Sequence, residues 1–269
     1  MNMITEKQIV EMYKRGASAY EILKYTSYKA PHSIYKILRK HGVTVRTKAG
    51  SKGMSLKEDY FREINSEKKA YFLGFIYADG SILKREDSKT CIRLEIKQSD
   101  KYLLDILKQE LNSTNAISVV RKDCARFSVH SNVLEKDLAK YSIVPDKSHR
   151  QDKIVVLPEP YMHHFIRGVF DGDGWVYKRK YSLTFGLCGT QTAMSQIANY
   201  LQTTLELPIV QVKQYGDKVP FFTHSAKTST LKLFDYLYKD ATIYLKRKYD
   251  VFSQVCQYRE GSVKSLCKA

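Results

Sequence analysis

The chain has 269 residues, with 45 Lys and Arg against 28 Asp and Glu, a formal charge of +17. Its length suits one large domain or two to three smaller ones, and 43% hydrophobic with 12% aromatic residues excludes a disordered chain. No apolar run approaches the roughly 18–20 residues of a membrane span, and the opening MNMITEKQIVEMYKRG has no hydrophobic block, so no secretory signal is expected.

The first fifty residues read as three short helices. Thr5 with Gln8 forms a capping box that opens a helix carrying Ile9 and Met12 and stopping at Gly16. Ser18 with Glu21 repeats the signature for a second helix with Ile22 and Leu23. Pro31 then sits where a first-turn proline belongs, and Ile34, Ile37 and Leu38 give the third helix its inward stripe before Gly42. The other face carries Ser33, Tyr35, Lys36, Arg39 and Lys40. Three helices, the last basic on its exposed face, resemble a helix-turn-helix DNA-binding domain at 1–50. Residues 1–53 hold 11 Lys and Arg against 3 Asp and Glu, a concentration that points to nucleic acid rather than to a membrane surface. Residues 51–64, rich in Gly, Ser and Lys at their start, read as a linker.

Beyond it a pattern of helix, strand, strand, helix, strand, strand, helix occurs twice, at 65–158 and 159–255, with a tail at 256–269. In the first copy an apolar helix, AYFLGFIYADG, precedes a hairpin whose second strand, CIRLEIKQ, alternates Ile92, Leu94 and Ile96 with Arg93, Glu95 and Lys97. A helix from about Asp100, two strands (ISVVRK and ARFSVHS) and a helix from Asn132 follow. The second copy opens with HHFIRGVFDGDGWV and continues through SLTFGLC and a helix at 191–205. Strands at IVQVKQY and PFFTH come next, then a closing helix, LKLFDYLYKD. The fold class expected is mixed α+β, two αββαββα halves side by side with their outward strand faces forming one basic saddle.

The helices that open the copies carry the chemistry. Gly74 and Ala78 in one, Gly168 and Gly172 in the other, stand four apart, so two such helices can pack almost backbone to backbone. Each ends in Asp-Gly, with glycine read as the usual left-handed terminator. An aspartate there faces the negative end of the helix dipole. Two brought together repel unless a cation lies between them, and carboxylate oxygens favour Mg²⁺, with Mn²⁺ able to substitute. The five cysteines are scattered, odd in number and without CxxC spacing, so zinc and disulfides are not expected and reduced thiols in the cytoplasm are the simplest reading.

FLGFIYADG and IRGVFDGDG resemble the LAGLIDADG motif of homing endonucleases, in the single-chain form that carries the motif twice. The resemblance implies a monomeric, site-specific endonuclease that cuts both strands of a long double-stranded DNA site and leaves short 3′ overhangs. It implies metal ligation by Asp79 and Asp173, with the backbone carbonyls of Ala78 and Gly172 as further ligands. It also implies a lysine late in each copy, Lys147 and Lys248, which stand 68 and 75 residues after the motif aspartates. Position six of the motif is Tyr77 in one copy and Asp171 in the other, and Asp171 is expected to bond within its own half. Mid-hairpin, Glu95 is matched with Gly186. DNA contacts are expected from Arg93, Lys97, Arg121, Lys122 and Arg126 in one half, and from Lys178, Arg179, Lys180, Lys213 and Lys218 in the other. An RNA-binding intron maturase, or a DNA-binding regulator that does not cut, uses the same fold; retention of both motif aspartates argues against the first.

Overall fold

The computed structural model describes residues 4–15, 17–45, 56–85, 88–145, 154–179 and 182–256. It divides into two compact units, with the boundary after residue 53. In the smaller unit, α1 (Glu6–Lys14) and α2 (Ala19–Leu23) both start from capping boxes, Thr5 with Gln8 and Ser18 with Glu21. Pro31 begins α3 (Pro31–Lys40). The left-handed backbone at Gly42 (φ +67°) follows, a conformation that glycine adopts without a Cβ clash. Ile9, Tyr13, Ala19, Ile22, Ile34, Ile37 and Leu38 form this unit's own core.

The larger unit carries both repeats. The first runs α4 (Glu67–Asp79), β1 (Gly80–Arg85), β2 (Ser88–Lys97), a 3₁₀ turn (Gln98–Asp100), α5 (Tyr102–Glu110), β3 (Ser118–Arg121), β4 (Cys124–His130) and α6 (Asn132–Ala139). The second runs α7 (Met162–Asp173), β5 (Gly174–Lys178), β6 (Leu183–Cys188), α8 (Gln191–Leu205), β7 (Phe221–His224), α9 (Lys227–Tyr238) and α10 (Lys246–Phe252). The first sheet is antiparallel in the order β1-β2-β4-β3 and the second in the order β5-β6-β7. The alternation read from sequence matches the burial: Ile92, Leu94 and Ile96 face the core, as do Leu183, Phe185 and Leu187.

Three expectations need correction. Residues 56–64 are not linker: Tyr60, Phe61 and Ile64 are buried in the first repeat's core, and Lys57 N–H donates to the Leu111 carbonyl at 2.9 Å. The aromatic pair, not the Gly and Ser before it, decides where the folded unit begins. Of the predicted strand 209–215, one bridge forms, Lys213 to Phe221. Its alternation comes from Val210 and Val212 packing on the core, a signal that looks the same with or without a partner strand. Finally, Gly80 and Gly174 are extended (φ −72° and −89°), and each helix runs straight into a strand. Glycine is required there by contact: a Cβ at Gly80 would meet the Ile76 side chain, and one at Gly174 the Phe170 ring.

Candidate functional site

α4 and α7 cross at their small residues. A Cβ at Gly74 would fall on the Phe165 carbonyl; one at Gly168 would fall on the Tyr71 carbonyl and lie 2.7 Å from the Phe75 amide nitrogen. Leu73, Phe75 and Ile76 on one helix, and Ile166, Val169 and Phe170 on the other, are buried around the contact. Close backbone approach therefore fixes where the two Asp-Gly ends stand relative to each other.

Those ends open into separate cavities. The first, about 380 Å³, is lined by Asp79, Glu95, Asp100, Asp123 and Asp171, with Gly172, Lys97 and Arg247. A Cβ added to Gly172 would come within 3.4 Å of the Asp79 carboxylate, so that carboxylate lies against the other repeat's backbone. The second cavity, also about 380 Å³, holds Asp173 with Tyr77, Ala78, Gly189, Gln214, Asp217 and Lys218. Each motif aspartate is thus grouped with the opposite repeat's penultimate residue, Asp79 with Gly172 and Asp173 with Ala78. Hard oxygen donors at an acidic junction fit a divalent cation of the Mg²⁺ type.

Lys248 is buried, and its Nζ donates into a fan of carbonyls at the end of α7: Phe170 at 2.8 Å, Asp171 at 2.7 Å, Gly172 at 3.2 Å and Gly174 at 2.5 Å. Burial lowers its pKa to about 8, while Asp171, Asp79 and Asp173 favour the charged form. Lys147 and Lys180 lie outside the described residues.

Asp171 does more than bond within its own half. Its Oδ2 accepts from Leu245 N–H at 2.7 Å and from the Tyr71 hydroxyl, in the first repeat, at 2.8 Å. Burial raises its pKa to about 6 against the pull of those donors and Lys248. Farther along α7, the wholly buried Arg167 donates to the Ile243 and Leu237 carbonyls and to Glu67 Oε1 of α4, the last at 2.6 Å. Glu67 also accepts from the backbone and hydroxyl of Thr242. Sequence reading missed this knot because charge pairing across a hundred residues leaves no local pattern.

Strand register corrects the mid-hairpin match. Gly80 pairs with Leu94, and Gly174 with Leu187. Counting one residue on, Glu95 corresponds to Cys188, and Gly186 to Arg93. Glu95 accepts from Arg126 Nε at 2.7 Å, and Cys188 donates from its thiol to the Asp173 carbonyl at 3.1 Å. Counting from the motif glycine along the paired strands would have found Cys188.

The proposed DNA contacts are dispersed. Arg93 and Arg126 flank Glu95 on the outward face of the first sheet, Lys97 is exposed on the same strand face, and Arg121 and Lys122 are exposed at the β3–β4 turn. Lys178 is exposed at the end of β5, where it pairs with Leu183 and donates to Gln254 at 2.5 Å. Arg179 lies over the Tyr177 ring, and Lys213 and Lys218 are exposed in the connection before β7. In the small unit Lys36 and Arg39 are exposed, Ser33 is half-buried, and Tyr35 packs against the core. Lys40 is paired with Glu6 at 3.0 Å.

Among the described residues, His163, His164 and Asp240 form one further group able to hold a metal. Its donors do not fit one. Arg167 NH1 lies 2.8 Å from His164 Nδ1, and a guanidinium only donates. Burial, then Arg167, lowers the His164 pKa to about 4, so the ring is neutral and its Nε2 carries the proton.

No protein-family model matches the chain, and no curated protein matches it in sequence. Solved structures do match in fold. A lysine-to-alanine mutant of I-SmaMI is similar over 70% of this chain and 89% of its own, with TM-score 0.53 and 14% identity. The I-SmaMI LAGLIDADG homing endonuclease bound to cleaved DNA gives TM-score 0.52 and 14% identity over 72% of this chain and 88% of that one. The I-LtrWI LAGLIDADG homing endonuclease bound to target DNA gives 0.50 and 14% over 76% and 92%. The chain has the LAGLIDADG homing endonuclease fold.

Proposed function

We propose that this protein is itself a LAGLIDADG homing endonuclease: a cytoplasmic monomer that hydrolyses one phosphodiester in each strand of a long, specific DNA site and leaves short 3′ overhangs. The observation that carries the reading is the backbone-to-backbone packing of two Asp-Gly helix ends, each aspartate grouped with the opposite repeat's small residue. Solved neighbours bound to cleaved and target DNA support a DNA partner.

Asp79 with the Gly172 carbonyl, and Asp173 with the Ala78 carbonyl, would hold divalent ions, Mg²⁺ by preference. Bound there, such an ion supplies charge neutralisation at the phosphate and a more acidic water. Glu95, fixed by Arg126, orients water in the first cavity. In the second, the corresponding position is the thiol of Cys188, a weak donor already engaged with the Asp173 carbonyl. The two strands are therefore cut by unequal sites. Lys248 holds the end of α7 rigid beneath them, and by its place in the sequence Lys147 is assigned the matching role in the first repeat. The exposed basic residues of the first sheet and of the second repeat's connections grip the duplex. The three-helix unit, through Lys36 and Arg39, adds a helix-turn-helix contact.

The test is to incubate the purified chain and its variants with genomic DNA of its source and Mg²⁺, and to sequence the ends. Asp79→Asn and Asp173→Asn should each abolish double-strand cutting while DNA affinity stays near that of the parent. Full cutting by either variant, or cutting in EDTA, would overturn the metal assignment. Specific binding without any cutting by the parent would favour a regulator.

A further inference from the structure

The outward faces of the two sheets differ in chemistry although they occupy matching places in the repeats. On the first, β2 and β4 present Arg93, Glu95, Lys97 and Arg126, a hydrogen-bonding surface. On the second, Trp175 and Tyr177 of β5 share the outward parity with Thr184 of β6 and with Phe221 and Thr223 of β7. Trp175 covers Gly186 so closely that a Cβ there would run into the indole. Phe221 packs between Trp175 at 5.9 Å and Tyr215 at 5.6 Å, and Tyr177 is 55% exposed. Strands β5, β6 and β7 put no lysine or arginine on this face. Positive charge stands at its margins instead, on Arg179 and Lys218 and on Lys213, which lies opposite Phe221 beyond the β7 edge.

Resting on the endonuclease reading, we propose that the second repeat recognises its half of the DNA target by apolar contact with thymine C5 methyl groups, its marginal cations gripping phosphates. In the major groove the thymine methyl is the apolar group that distinguishes one base from the others. Phosphate contacts position a protein without reading sequence. An aromatic surface pressed on polar base edges leaves their donors and acceptors unpaired, which disfavours such sites. Aromatic rings and threonine methyls ringed by cations therefore select thymine-bearing steps, whereas the first repeat, with Arg93 and Arg126, selects by hydrogen bonding.

To test this, the full chain is used to select its site from a randomised duplex library without divalent metal. Thymines in one half of the recovered site are then replaced by deoxyuridine, which removes the methyl and keeps every groove hydrogen bond. Uracil in one half should weaken binding about fourfold for each methyl contacted, the worth of one buried methylene-sized group. Uracil in the other half should leave affinity unchanged. Tyr177→Ala or Thr223→Ser should diminish the penalty, which identifies the sensitive half as that of the second repeat. Selection and cutting with equal tolerance of uracil in both halves would overturn the inference and leave the endonuclease reading standing, as would a penalty unchanged in both variants. A chain that selects no sequence and cuts no genomic DNA overturns the endonuclease reading first.

Discussion

Four backbone carbonyls converge on the Lys248 ammonium, which has three protons to give. That geometry makes it a cap for the α7 carbonyls that lie against Asp173, more than a free acid or base. Lys248→Met keeps the length and removes the donors, taking this partner from the buried Asp171 and Gly174 carbonyls at about 1–3 kcal/mol each, while the Phe170 carbonyl keeps the Gly174 N–H. The expected result is a lower urea midpoint together with slower cutting. A variant with the parent's midpoint but no activity would instead assign Lys248 to proton transfer. At this scale the sequence was legible where a residue type met a local constraint. The motif aspartates announce themselves by standing before glycine at the unfavourable end of a helix, twice. Cys188, Arg167 and the Tyr71–Asp171 bond were not legible, because strand register and contacts across a hundred residues are set by packing between halves.

Among the elements, α4 and α7 control the site through the closeness of their backbones. Gly168→Ala would force a Cβ into the space between the Tyr71 carbonyl and the Phe75 amide. Both are main-chain atoms, so the helices must separate, at about 1–3 kcal/mol or more. Gly216→Ala, at a left-handed position of the same unit (φ +56°) with nothing near its Cβ, is the comparison for a purely conformational cost. Thermal unfolding should place Gly168→Ala well below Gly216→Ala, and double-strand cutting should fall with it, because both aspartates move. The segment from Thr242 to Lys248 completes the junction. Tyr102 reaches the Tyr244 carbonyl, Asp100 holds Arg247, and Glu67 takes Thr242 and Ile243. Capping boxes and strand alternation made most elements readable in advance. The stretch 209–215 shows the limit: its alternating valines record burial, and pairing needs a partner that local pattern cannot report.

At the scale of the whole molecule, the three-helix unit has its own core and two well-capped helices. Deleting residues 1–53 should leave the repeats folded and, at saturating protein, still able to cut. Tethering a second DNA-binding unit raises affinity by about 10²–10⁴. The truncated chain should bind more weakly, protect a shorter footprint on one side, and show a salt slope shallower by about 0.9 for each phosphate it no longer neutralises. Footprinting and salt titration against the full chain check this, and an unchanged footprint would mean that the helices bind something other than the target duplex.

The bond between Arg167 and Glu67 also limits how such chains can recombine. A hybrid that joined this second repeat to a foreign first repeat without an acid at the place of Glu67 would inherit a guanidinium sealed from water and without its ion-pair partner. Breaking one side of a buried pair costs about 3–5 kcal/mol, enough to consume much of a domain's stability. Shuffling of half-molecules between related genes is then restricted to partners that bring the matching acid, and this one buried pair acts as a compatibility lock on which halves can share a chain.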